Sequence, residues 1–427
     1  MRKRVKPADR RKPANLPLAL AFALALALLP NGVARASEAS AELLRHHLYA
    51  GTLAEGEAAL AAKIAAEGAD REARFGLGLI RFARAVEHLG QSLYRYGLSP
   101  PRTLSLPILR FPVPYNPAPA PIAYRDLRSV LSAFDDDLAK AESVLQSIGD
   151  GDVTLVLDLA RIRLDLRGDG RPGEDETLAA IVSHLSGATP PERPASLEVK
   201  FDAGDAPWFA GYSHALMALC DFLLAHDFEG SFDAASHLFF PRSMAPAAPA
   251  LARPAPRDGI ASGLPDSTAL ADMIALIHTV DWPVVEPERM RGARAHLKAM
   301  IGLSRKSWAL ILAETGDDRE WIPNPRQTHV AIGARVRQDQ IDAWMAALDE
   351  AEAILDGRLL VPHWRFTRGI DLKAFFESPR TFDLVMFLTG SGAVPYLTDG
   401  PVSSHERWTK ITRAFEDNFF GYALWFN

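Results

Sequence analysis

REARFGLGLIRFARAVEHLGQSLYRY, residues 71–96, decides the fold class. Phe75, Leu79, Phe82, Val86, Leu89 and Leu93 recur at steps of four and three, which places them on one face of a helix. Upstream, residues 41–66 carry Leu43, Leu44, Leu48, Leu53, Leu60 and Ile64 among many alanines, a second helical pattern. Ala69-Asp70 breaks the two apart, and so short a link predicts an antiparallel pair. Ala73, Gly76 and Gly78 are small enough to let the helices approach closely.

The pattern continues outward from that pair. Residues 124–148, 174–185, 208–226, 286–314 and 338–355 read as helices, and Asp266-Ser267 caps another that runs to Ile277. Residues 153–164 fit a helix through Leu155, Leu159 and Ile162, or a strand through Ile162, Leu164 and Leu166. Residues 186–200 read as a linker. Ser403-Ser404-His405-Glu406 is a capping box that opens a last helix. The stripe Trp408, Ile411, Phe415, Phe419 and Tyr422 docks that helix into the core. Prolines crowd residues 100–121 and 241–265, which excludes regular helix there and predicts loops crossing the surface. The expected architecture is all-α: packed helical hairpins with long proline-rich crossing loops. The first pair resembles a tetratricopeptide-type hairpin, and no second copy follows at that period.

Residues 1–36 read as a signal peptide. Seven basic residues from Arg2 to Lys12 precede an apolar run over 16–29, and Ala34-Arg35-Ala36 offers the small-x-small cleavage pattern. The run is too short for a membrane span. The mature domain is then 37–427, with any sub-boundary in the loop 241–265, and its location is periplasmic or secreted. The leader holds eight basic residues and one acidic residue, so its removal takes the net charge from −6 to −13. Such an acidic chain is a poor partner for nucleic acid or an anionic membrane surface. The whole chain resembles exported helical proteins of Gram-negative bacteria, which implies compartment and fold but no activity.

The single cysteine excludes a disulfide framework and any cysteine-rich metal site. Cys220 sits in an apolar run, where a buried inert thiol is expected. His46-His47 and His226-Asp227 lack a matching ligand at i+4, so neither supports a transition-metal site.

One stretch carries a mechanism. Residues 165–176, DLRGDGRPGEDE, resemble the calcium loop of EF-hand proteins. That resemblance makes Asp165, Asp169 and Glu176 oxygen ligands at positions 1, 5 and 12, with Gly170 at the sharp turn and the Arg171 carbonyl at position 7. Arg167 stands at position 3, where an acceptor belongs, and Pro172 at position 8 lacks the N–H that pairs two loops. The implied cofactor is calcium, in a structural role.

No nucleophile elbow, phosphate loop, dinucleotide fingerprint or zinc-protease motif is present. Two places could host acid–base chemistry. One is Asp202-Ala203-Gly204-Asp205-Ala206-Pro207-Trp208 with Tyr212 and His214; the other is His363 with Asp371 nearby. Asp205 or His214 would serve as acid or base, and Trp208 as a sugar platform. The plainer role of Asp205 is to cap the helix opening at Pro207. Two functions follow: an exported structural or binding protein with one calcium loop, or a periplasmic hydrolase or lyase acting on a carbohydrate or cell-wall substrate. A cleft lined by Asp205, Trp208, His214 and His363 would favour the enzyme.

Overall fold

The computed structural model describes residues 38–68, 70–99, 111–149, 151–186, 196–251, 267–331, 335–416 and 418–427. The expected signal peptide, residues 100–110 of the first proline-rich stretch and residues 252–266 at the second lie outside the described residues.

The chain is all-α. Its first helical pattern is two helices rather than one, α1 (38–50) and α2 (Leu53–Glu67). Gly51 separates them at φ 69°, a left-handed turn that ends a helix best with glycine. Helix α3 (Arg71–Arg95) starts under Asp70, whose carboxylate accepts from Ala73 N at 2.8 Å. Helix α4 (Tyr124–Gln146) packs along α3.

The ambiguous segment 153–164 opens as a strand, β1 (Thr154–Asp158), earlier than the alternation at 162–166 suggests, and continues as a 3-10 turn over Leu159–Arg161. The strand pairs antiparallel with β2 (Glu198–Asp202), with Leu155 opposite Phe201 and Leu157 opposite Val199. The last residues of the expected linker, 198–200, therefore belong to a strand. Between the two strands lies α5 (Leu178–Ser186), which is shorter than expected because Glu174–Glu176 form a separate 3-10 turn.

Helix α6 (Asp205–Leu224) comes next, followed by α7 (Glu229–Ala235), α8 (Ala248–Leu251), α9 (Ser267–His278), β3 (Asp281–Trp282) and the long α10 (Pro287–Ala313). The C-terminal third holds α11 (Gln338–Leu355), β4 (Gly369–Ile370), α12 (Leu372–Glu377), β5 (Phe382–Asp383), α13 (Leu384–Thr389), β6 (Leu397–Thr398), α14 (His405–Ala414) and α15 (Phe419–Phe426). Two-residue ladders join β3 to β5 and β4 to β6.

Two large apolar clusters meet at α6. Leu44, Leu60, Phe75, Ile80, Leu155 and Phe201 form one, together with Ala206 and Ala210 of α6. Trp308, Trp344, Phe415 and Phe426 form the other, together with Trp208 and Ala218 of α6. Helices α4 and α10 both pack on it.

The expected last helix is two. Helix α14 stops at Ala414, Glu416 takes φ 54°, and α15 restarts at Phe419. The cap is Ser404, which accepts from Arg407 N at 3.2 Å; Ser403 instead donates to Glu350 at 2.6 Å and accepts from Trp408 Nε1 at 2.8 Å. The aromatic stripe does close the second core, with Phe415 and Phe426 fully buried. No described helix is long and apolar enough to cross a membrane.

Gly51 also touches Pro172 of the loop 165–176, where an added Cβ would collide. Gly51→Ala combines that collision with a strained backbone, so it should cost about 1–3 kcal/mol in urea unfolding. Unchanged stability would contradict this account of the turn.

Candidate metal centre

The acidic residues around the start of α6 converge. Along β2, Val199 and Phe201 face the core, so Lys200 and Asp202 share the opposite face. A two-residue turn leads from Asp202 to Asp205, the first residue of α6. Helix α10 ends against this turn: Ser307 Oγ donates to Gly204 O at 2.7 Å, and Glu314 follows as the C-cap. The chain then folds back. Glu320 N donates to His329 O at 2.9 Å, Ala331 N donates to Glu320 O at 3.0 Å, and Lys200 N donates to Arg319 O at 3.0 Å. Gln327 braces the loop, donating to Glu314 Oε2 at 3.2 Å and to Gly316 O at 2.9 Å.

Carboxylate oxygens of Asp202, Glu314 and Glu320 lie within 4.8 Å of one another. Behind them, the buried Asp205 accepts from Asp202 N at 2.9 Å. Lys200 reaches Glu320 at 3.1 Å. Fully ionised, these four acids and one lysine carry net −3 in a half-buried place. Burial and the field of Asp202 push Glu314 up to about 8. Burial, then Asp202, pushes Asp205 well above the usual carboxylate range. A site made only of carboxylate oxygens suits a hard divalent cation.

The loop 165–176 turns its acids elsewhere. Asp165 accepts from the backbone N–H groups of Gly168 at 2.9 Å, Asp169 at 3.2 Å and Gly170 at 2.8 Å. Asp169 accepts from Arg171 N at 2.9 Å. Glu176, fully buried, accepts from Arg167 N at 3.0 Å and Gly173 N at 2.6 Å, and pairs with the Arg167 guanidinium. Arg167 also reaches Asp175 at 2.5 Å. The loop thus carries a cation of its own, the guanidinium at position 3. Nearby Glu87 accepts from Asp165 N at 2.7 Å, and burial raises it to about 7.

Of the residues expected at a catalytic site, the structure gathers Asp202 and Asp205 into this cluster. His214 lies nine residues further along α6, about 13 Å along the axis, and faces Glu142 and His296. Trp208 packs on Tyr212 and Trp321 and donates to Trp425 O at 2.8 Å. His363 stacks on Trp364 in a distant loop, and Asp371 caps α12 through Ala374 N at 3.1 Å. Burial raises the Cys220 thiol to about 12, which keeps it protonated. Grooves of about 810 and 730 Å³ run along α14, lined by Arg407, Lys410 and Arg413, away from all of these.

Sequence reading missed Glu314 and Glu320, which join Asp202 only through the return of the chain after α10. No family model, curated protein or solved structure matches this chain.

Asp205→Asn keeps the acceptor for Asp202 N and removes one crowded charge. In chelator at pH 8 it should raise the melting temperature by about 2–4 °C. A fall would show that the carboxylate stabilises the fold by itself.

Proposed function

We propose that this chain is an exported structural or binding protein, periplasmic or secreted, whose helical body takes up a divalent cation. The observation that carries the reading is the convergence of Asp202, Glu314 and Glu320, with Asp205 behind them and one lysine to balance them. Bound there, an ion would tie β2, the start of α6, the end of α10 and the loop after it. Calcium is the hard cation expected outside the cell, held at the weak affinity of extracellular modules, about 10⁻⁴ to 10⁻³ M. The loop 165–176 is the second candidate position. There an ion has to compete with Arg167 for Glu176.

The hydrolase or lyase reading has one observation in its favour. Glu314 is a carboxylic acid at neutral pH, as a general acid must be. Against it, the indole meant as a sugar platform is buried under Trp321 and Tyr212, and His214 is on another stretch of α6.

Thermal unfolding with and without calcium separates these positions. Calcium at about 100 times its Kd adds about 2.7 kcal/mol, a rise of several degrees. Asp202→Asn should lose that rise and Asp165→Asn should keep it. The opposite pattern would move the ion to the loop. No rise at about 100 mM calcium, 100 times the weaker Kd, in the unaltered chain would remove the cation from the function.

A further inference from the structure

Helices α4, α6 and α10 share polar residues spaced by sevens: Asp135 and Glu142 on α4, His214 and Asp221 on α6, Arg289 and His296 on α10. Seven residues are two turns, so each helix returns the same face to the interface. Two layers result. In one, Arg289 reaches Asp221 at 2.8 Å and Asp135 at 3.2 Å. In the other, four groups form a chain. Glu142 Oε1 lies 3.1 Å from His214 Nε2, His214 Nδ1 lies 2.7 Å from His296 Nδ1, and His296 Nε2 lies 3.7 Å from Asp221 Oδ2.

Hydrogens can be counted along this chain. The outer contacts are ion-pair distances, since 3.7 Å is too long for a hydrogen bond and His214 Nε2 has no hydrogen-bond partner. The ring–ring contact holds one hydrogen, which one of the two neutral imidazoles supplies. One added proton then goes to an outer nitrogen, beside Glu142 or Asp221. A second added proton would set two N–H groups head to head across 2.7 Å, where only one hydrogen fits.

We propose that the Glu142–His214–His296–Asp221 chain is a one-proton clamp joining α4, α6 and α10, closed with one added proton or none and opened by a second. The clamp is an acid-sensitive device in the middle of the fold. The charged groups that face it are Glu142 and Asp135 from α4, Asp221 from α6 and Arg289 from α10. Gln146, also on α4, holds Glu142. The carboxylates at the two ends attract a proton onto the chain. Arg289 holds Asp221 and limits that attraction at the His296 end. Burial, then the neighbouring His214, holds His296 below the ordinary histidine range, in keeping with a pair that does not charge twice.

The sign of the pH effect follows. The unfolded chain takes up the second proton near pH 6.5, and the folded chain resists it. Stability conferred by the clamp is therefore full above that pH and is lost as the pH falls below it. At pH 5 a histidine kept neutral shifts the unfolding equilibrium by about 30-fold.

Two measurements on the full chain test this. NMR of the chain with ¹⁵N-labelled histidine should show His214 and His296 sharing one protonation between pH 8 and 5, with the second absent until the fold opens. Urea unfolding at pH 7.5 and 5.0 should show a loss of stability that is about 10- to 30-fold smaller, in equilibrium constant, for His296→Gln than for the unaltered chain. His47 and His226, which burial also holds low, remain in both proteins and cancel in that comparison. Two rings that each charge fully in the folded chain above pH 6 would overturn the clamp. So would an equal loss of stability in the variant. The NMR result stands even if the variant does not fold.

Discussion

Helix α6 is buried on both flanks, and the rest of the structure depends on how its polar residues are satisfied there. Ala206 and Ala210 serve one core, and Trp208 and Ala218 serve the other. A helix in that position has almost no wet face, so each polar side chain on it needs a fixed partner. Asp205 takes the Asp202 N–H, Ser213 returns to Phe209 O at 3.0 Å, His214 meets His296, and Asp221 meets Arg289. Apart from Phe209 on α6 itself, these partners come from β2 and α10. Three of the buried titratable groups, Asp205, His214 and Asp221, therefore lie along this one helix.

The two acidic regions neutralise themselves in different ways. In the loop 165–176, Arg167 supplies a guanidinium to Glu176 and Asp175, and backbone N–H groups saturate Asp165. At the start of α6, Lys200 is the one cation among the described residues that pairs with the four carboxyls, and burial and crowding raise Glu314 to about 8 and Asp205 well above the usual carboxylate range. A divalent ion would relieve that crowding. The arginine that spoils the EF-hand pattern by sequence is what completes the loop by structure.

Long amphipathic stretches were legible because their information is local. The range 338–355 is the observed α11 to the residue, α3 differs from expectation by one residue at its C-terminal end, and α10 by one residue at each end. Breaks were harder to read. Gly51 sits in an alanine-rich run whose apolar spacing continues across it, and Phe415 and Phe419 keep a helical step across the turn at Glu416. The strand at Thr154–Asp158 is decided by its partner, whose first residue, Glu198, lies 40 residues beyond Asp158. The site was half legible for the same reason. Asp202 and Asp205 are neighbours in sequence, whereas Glu314 and Glu320 arrive only when α10 has crossed the molecule. His214 found no partner by spacing, since His296 stands 82 residues away.

The central claim is that a hard cation completes the charge at the start of α6. Anomalous scattering from crystals of the protein grown with manganese or calcium tests it most directly. The account predicts a peak ringed by Asp202, Glu314 and Glu320, with oxygen distances of about 2.0–2.6 Å. A cluster without a peak, with ions bound elsewhere on the same molecule, would contradict it.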